Sequence, residues 1–169
     1  MNGETAPEQR LLQTRNLTLV PQTRDDVRAL IDAMTPYEKA QLSADWLALF
    51  EASTAADPWV HGFSAVHRDS GTVVGTGSFK GPPAHGVVEI AYGINSDHRG
   101  KGYATEVAEA LATYAFSFAN VRTVRAHTLP EPNASTRVLA KCGFTRVGDV
   151  VDPEDGLVWR FEKLRADSA

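Results

Sequence analysis

The stretch from Val87 to Phe118 limits what this chain can fold into more than any other. A run of β-branched, apolar and aromatic residues, Val87-Val88-Glu89-Ile90-Ala91-Tyr92-Gly93-Ile94, lies between Gly86 and the polar turn Asn95-Ser96-Asp97-His98. That pattern predicts a buried strand. The corner Arg99-Gly100-Lys101-Gly102-Tyr103-Ala104 follows. Beyond it Ala104, Val107, Ala108, Leu111, Ala115 and Phe118 return at intervals of three and four, which makes one apolar helix stripe. A Gly-rich turn opening a helix leaves backbone N–H groups unpaired at the positive end of the helix dipole. Such a corner is an anion site, and phosphate is its usual occupant. It carries no Gly-Lys-Ser or Gly-Lys-Thr and no Rossmann spacing, so neither a Walker-type loop nor a dinucleotide fold is supported.

The flanking segments read as follows. Asn16 to Val20 alternates and stops at Pro21, which predicts a first strand. Thr23 caps a helix through Val27, Leu30 and Ile31, and Thr35-Pro36 opens a second one carrying Tyr37, Leu42, Trp46, Leu47 and Phe50. After a linker from Ser53 to Pro58, Trp59–His67 and Thr72–Phe79 form two strands leading into the Val87 strand. Thr123 to Leu129 is a strand ended by Pro130-Glu131-Pro132, and Asn133 or Ser135 starts a short helix. Thr145–Val151 and Leu157–Leu164 close the chain as a pair. The expected architecture is a mixed α/β sandwich. It spans a single domain over 14–165, with an arm over 1–13 and a tail over 166–169.

At 169 residues and 18.3 kDa, the chain has the length of one ordinary domain. A net charge of -4 gives no bulk attraction to nucleic acid or to anionic lipid. Cys142 is the single cysteine, so neither an internal disulfide nor a thiolate metal cage can form. His61, His67, His98 and His127 lack metal-ligand spacing, and no metal is expected. No apolar run is long enough to span a membrane. The start, Met1-Asn2-Gly3-Glu4, lacks the order of a signal peptide, so the cytoplasm is the default compartment.

At the glycine corner the sequence resembles the GNAT superfamily of acyl-CoA-dependent N-acyltransferases. The family signature is Gln or Arg, two residues, Gly, one residue, then Gly or Ala; Arg99, Gly102 and Ala104 match it in register. The segment from Asn133 to Phe144 is similar to the family's late helix and turn, and more narrowly to the branch of ribosomal-protein N-terminal acetyltransferases. With Glu89 and its strand, the likeness runs from about Asn16 to Leu164. Two departures stand out. Ser96 or Asp97 occupies the place where the family often has Pro, and Pro132 the branch's usual Asn position, with Asn133 one place late.

The resemblance implies a mixed α+β fold, with a mostly antiparallel sheet flanked by helices, and acetyl-CoA as co-substrate. It implies that Arg99, Gly100, Lys101, Gly102, Tyr103 and Ala104 hold the pyrophosphate, and that Asn133 contacts CoA. The backbone of Tyr92, Gly93 and Ile94 would polarise the thioester where the strand parts from its neighbour. Acyl transfer to an amine needs a base, and Glu89, alone among apolar neighbours, is the candidate the family suggests. His85 is the rival base, and an edge or ion-paired carboxylate is the plain alternative for Glu89. Ser135 is the candidate proton donor to the thiolate, or else a helix cap. Trp46 lies on the helix that the family uses over the acceptor. An acidic rim at Asp25, Asp26, Glu38 or Asp45 would attract a cationic amine. The acceptor is then a primary amine, either a peptide or protein N-terminus or a small antibiotic or metabolite. A non-catalytic acyl-CoA-binding protein is the alternative class, and a homodimer is left open.

Overall fold

The computed structural model describes residues 11–53, 57–153 and 155–166. Its strands are β1 (Leu12–Gln13), β2 (Leu17–Pro21), β3 (Phe63–His67), β4 (Val73–Phe79), β5 (Val87–Ile94), β6 (Thr123–Thr128), β7 (Thr145–Asp152) and β8 (Gly156–Leu164). They form one eight-stranded sheet in the order β1-β2-β3-β4-β5-β6-β8-β7. Every neighbouring pair is antiparallel except β5 with β6. The helices are α1 (Arg24–Asp32), α2 (Pro36–Ala40), α3 (Ala44–Ala52), α4 (Pro58–His61), α5 (Tyr103–Phe116) and α6 (Ala134–Lys141), with a 3-10 turn over Ser96–His98.

The local chemistry explains where sequence reading and structure part. The helix expected to run from Thr35 to Phe50 is two helices, because the Ser43 side chain accepts the Trp46 N–H and restarts the turn. Trp59 does not begin a strand. Asp57 accepts its N–H, Pro58 sits at the first helical position, and the short α4 ends at Gly62 with φ 69. Leu12 and Gln13, at the end of the expected arm, pair with Leu19 and Thr18 at the sheet edge; the rest of the expected arm over 1–10 and of the tail over 167–169 lies outside the described residues. Phe118 falls past the end of α5, although it still packs on the core.

Helix α5 lies on one face of the sheet. Val107, Ala108, Leu111 and Ala115 are fully buried there, as their spacing predicts. Its close approach depends on Gly77, where a Cβ would meet Val107 Cγ1 at 2.7 Å. Leu17, Leu19, Phe63, Ala65, Val74, Phe79, Val88 and Ile90 complete this core from the sheet, and Leu139, Cys142 and Phe144 extend it under α6. A smaller cluster of Val27, Ile31, Phe50 and Val60 joins α1, α3 and α4. His61, beside it, is buried; Nδ1 accepts the Asp57 N–H and Nε2 lies 3.0 Å from Ser53 Oγ. Burial lowers its pKa, against the opposing pull of Asp57.

One irregularity matters for function. Strand β5 pairs with β6 only through Val87, Val88 and Glu89, against Thr123, Val124 and Arg125. Beyond that point β5 stays with β4, through Gly77↔Tyr92 and Gly75↔Ile94, while β6 stays with β8 through Thr128↔Trp159. The sheet opens between them.

Candidate active site

The glycine corner stands at the C-terminal end of β5. Gly100 and Gly102 have φ of 79 and 85, and Gly102 is the N-cap residue of α5. That left-handed conformation is the one glycine adopts without penalty. A Cβ at either position would meet nothing within 4 Å, no side chain caps the start of α5, and the first residues of the helix line open space. Arg99 Nε donates to the Ile94 carbonyl at 3.1 Å and ties the corner to the end of β5. A cleft of about 440 Å³ lies here, bounded by the end of β5, the start of α5 and one face of α6.

Most of the expected cofactor residues line this cleft: Tyr92, Gly93, Ile94, Arg99, Gly100, Gly102, Tyr103 and Ala104. Lys101 and Asn133 are not among the lining residues. The Asn133 side chain is engaged instead as the cap of α6, where it accepts the Thr136 N–H at 3.0 Å while the Thr136 hydroxyl receives the Asn133 N–H. His98, Thr105, Arg137 and Lys141 line the cleft and were not singled out from the sequence. The i,i+4 spacing of Arg137 and Lys141 was the available signal, because it puts both cations on one face of α6.

Ser135 also lines the cleft. Because Asn133 caps α6, the Ser135 hydroxyl is not needed as a cap. It interacts instead with the Tyr92 phenol. Burial pushes that phenol's pKa up to about 12, against the opposing effect of Ser135, so the hydroxyl keeps its proton at neutral pH.

Glu89 projects from the other face of β5, in step with Val87 and Ala91, at the last residue paired with β6. Its Oε2 lies 2.8 Å from His127 Nδ1 and 3.2 Å from Lys80 Nζ. Lys80 extends the β4 ladder by donating its backbone N–H to the Glu89 carbonyl. Behind the carboxylate, Arg160 Nε donates to His127 Nε2 at 3.0 Å. Burial would raise the Glu89 pKa, but the His127 hydrogen bond and the Lys80 charge outweigh it and hold the carboxyl below its usual value. The Lys80 pKa is raised: burial opposes this, and Glu89 together with Asp155 and Asp152 prevails. Glu89 is therefore an ion-paired carboxylate beside the parting of the strands.

Other expected groups are placed elsewhere. Trp46 is not among the cleft-lining residues: its ring stacks on Phe50 at 5.5 Å between centroids, and its indole N–H donates to the Val60 carbonyl. Asp26 and Glu38 accept N–H groups at their own helix starts, and Asp25 and Asp45 are exposed. His85 sits exposed in the β4–β5 loop with φ 53. Cys142 is buried, and burial pushes its thiol up to about 11, so it is no nucleophile at neutral pH. Among the described residues no cluster of His, Cys, Asp and Glu could hold a metal ion, and no helix is long and apolar enough to cross a membrane.

The profile described as "Acetyltransferase (GNAT) domain" matches residues 14–145. The chain is 26% identical to the uncharacterized N-acetyltransferase p20 of Bacillus licheniformis over 72% of its own length and 68% of that protein. It is 34% identical to the uncharacterized N-acetyltransferase YjdG of Bacillus subtilis over 52% of its length, and spans only 51% of that relative. Among solved structures, RimL, a ribosomal L7/L12 α-N-protein acetyltransferase in complex with coenzyme A, superposes with a TM-score of 0.67 at 16% identity, covering 92% of this chain and 98% of that one. The aminoglycoside acetyltransferase AAC(6')-Ib in complex with coenzyme A and kanamycin gives 0.63 at 22% identity, covering 88% and 95%. At such identities these two likenesses speak for the fold.

Proposed function

The chain belongs to the GNAT acetyltransferase family and is an N-acetyltransferase; from that premise we propose that it passes an acetyl group directly from acetyl-CoA to the α-amine of a peptide or protein N-terminus. The carrying observation is the parting of β5 from β6 immediately beyond Glu89, with the cleft on one face of β5 and the carboxylate on the other. Two substrates entering from opposite faces can meet only through that opening.

In this reading the pyrophosphate rests on the N–H groups from Gly100 to Ala104, with Arg137 and Lys141 adding positive charge. The cofactor arm lies along the free edge of β5, and a backbone N–H of the Tyr92–Ile94 segment polarises the thioester carbonyl. Glu89 takes a proton from the acceptor ammonium, directly or through one water. The neutral nitrogen attacks the carbonyl, the C–N bond forms and the C–S bond breaks. Ser135, backed by the protonated Tyr92, passes a proton to the departing thiolate and recovers it from solvent, which also takes the second proton shed by the new amide nitrogen. An α-amine with a pKa near 8 asks less of an ion-paired base than a lysine amine near 10.4. The branch likeness of Asn133–Phe144 points the same way.

The test is release of free thiol from acetyl-CoA against peptide N-termini, polyamines and aminoglycosides in parallel. Peptides are expected to turn over fastest. Preference for an aminoglycoside would replace the peptide by a small amine, and tight acetyl-CoA binding with no turnover anywhere would make the chain a binding protein. Ser135→Ala should lower kcat by about tenfold to 100-fold while leaving acetyl-CoA affinity unchanged. A fall in Tm alone, with kcat intact at saturation, would return Ser135 to a packing role.

A further inference from the structure

The base proposed above does not stand alone. Its surroundings form a row of side chains on one face of four strands. Lys80 continues β4, Glu89 comes from β5, His127 from β6 and Arg160 from β8, where His127 and Arg160 are direct cross-strand partners. One step along the same two strands, Arg125 and Glu162 pair with each other at 2.8 Å and leave this row alone.

The hydrogen bonds fix the proton positions. An arginine Nε can only donate, so His127 Nε2 must be the unprotonated acceptor of the 3.0 Å bond from Arg160. The ring proton then sits on Nδ1 and is given to Glu89 Oε2 at 2.8 Å. His127 is well enclosed, with 11% of its side chain exposed against 22% for Glu89 and 47% for Lys80. The Lys80 contact is therefore the exposed one, open to solvent screening, and the His127 contact the enclosed one. Both reach Oε2, and Oε1 has no partner among the described residues. A second-layer donor that fixes the ring of a histidine is how such groups are usually oriented.

We propose that His127, locked in one tautomer by Arg160, is the positioning residue of the acetyl transfer: it holds Glu89 by Oε2 so that Oε1 is left for the acceptor amine. This rests on Glu89 being the base. It assigns a task to two residues that the sequence reading left as a histidine without metal spacing and an unremarked arginine.

Two measurements test the proposal. The first needs no acceptor. The Glu89 carboxyl is titrated by carbon NMR, and the His127 ring nitrogens are observed by nitrogen NMR. Wild type should show the Nδ1–H tautomer. Arg160→Met should mix in the Nε2–H form. His127→Leu removes the donor and should move the Glu89 midpoint to higher pH. His127→Asn, whose amide nitrogen falls near the place of Nδ1, should restore most of the wild-type midpoint. Lys80 and its neighbours Asp152 and Asp155 remain in every variant and are a constant background.

The second measurement is the pH profile of kcat/KM, with the peptide that turns over best in the panel above. Glu89 must be ionised to act, so a raised midpoint carries the acid limb to higher pH. His127→Leu should therefore lose about tenfold at the acid end, the size expected for one hydrogen bond to a charged group, and less on the plateau. His127→Asn should follow wild type. An Nε2–H ring in wild type, or a His127→Leu enzyme with an unmoved Glu89 midpoint and acid limb, would overturn the positioning role even if Glu89→Gln is nearly inactive. A Glu89→Gln enzyme with near-normal kcat/KM would overturn the base reading and this inference with it. Circular dichroism on each variant separates these outcomes from a lost fold, with Arg160→Met serving if His127→Leu does not fold.

Discussion

Glu89→Gln is expected to cut kcat/KM by about 100-fold or more at neutral pH, within the range for a positioned acid or base. The substitution keeps the volume of the side chain and an oxygen that His127 and Lys80 can still meet. It removes the charge and with it the capacity to take a proton. Because His127 and Lys80 overcome the effect of burial and hold the carboxyl below its usual pKa, Glu89 is ionised throughout the neutral range. An ionised carboxylate attracts the acceptor ammonium but is a modest base, so its contribution should depend on how fully the acceptor is protonated. The deficit of Glu89→Gln should then shrink as pH rises toward the acceptor's own pKa, near 8 for an α-amine. Acetyl-CoA affinity, which the proposed site places on the opposite face of β5, should hardly change. Parallel wild-type and variant profiles only a few-fold apart would leave Glu89 as an ion-pair partner of Lys80 and His127 and nothing more.

The second large effect concerns the cofactor. Gly102→Val is expected to weaken acetyl-CoA binding by about 100-fold or more, since obstructing two or more N–H bonds to a charged phosphate forfeits roughly 1.5–3 kcal/mol each. The protein itself offers no clash to the new side chain, because nothing lies within 4 Å of a Cβ there. The isopropyl group instead enters the space in front of the first turn of α5, where the proposed site seats the phosphate. A β-branched residue at φ 85 also carries backbone strain of about 1–2 kcal/mol, which lowers stability without explaining a hundredfold loss of affinity. Calorimetric titration with acetyl-CoA, on protein whose helicity is checked by circular dichroism, separates the two effects. Undiminished affinity would remove the corner from the cofactor site.

What could be read in the sequence was local. The β5 strand, the glycine corner and the α5 stripe follow from runs and spacings confined to neighbouring residues, and the structure places them as expected. Helix starts were harder, since Ser43 and Asp57 act through one side-chain bond each and break a segment that periodicity alone reads as continuous. The company of Glu89 was beyond reach for another reason. Lys80, His127 and Arg160 converge on it only through the registers of β4, β6 and β8, and register is a tertiary fact. Alternation along Thr123–Thr128 does set Arg125 and His127 on the face opposite Val124 and Ala126. Without the parallel pairing of Glu89 with Arg125, nothing in the sequence says which carboxylate His127 will find. The contacts of Trp46 were equally out of reach, since its packing against a small core and the bond from its N–H to the Val60 carbonyl are set by α4, a helix that the sequence did not show.

The short junction of β5 with β6 also bears on how the domain holds together. Among the described residues, backbone pairing between the β1–β5 half and the β6–β8 half is confined to the foot of that junction, where Val87–Glu89 pair with Thr123–Arg125 and the Gly86 carbonyl accepts from Arg122 and Thr123. Above it, the backbone edges of Ala91–Ile94 and Ala126–Thr128 have no strand between them, while residues of α5 and α6 pack into the core that both halves share. An extended arm carrying amide groups, laid into that gap, would bond to the edge it meets and act as a splint across the two halves. Occupancy then becomes a component of folding: a ligand at 100 times its Kd adds about 2.7 kcal/mol to the native state. The slowest-exchanging amides of the chain should then spread from the outer strands toward the crevice as the arm fills it, and the fold would become most cooperative only with its substrate in place.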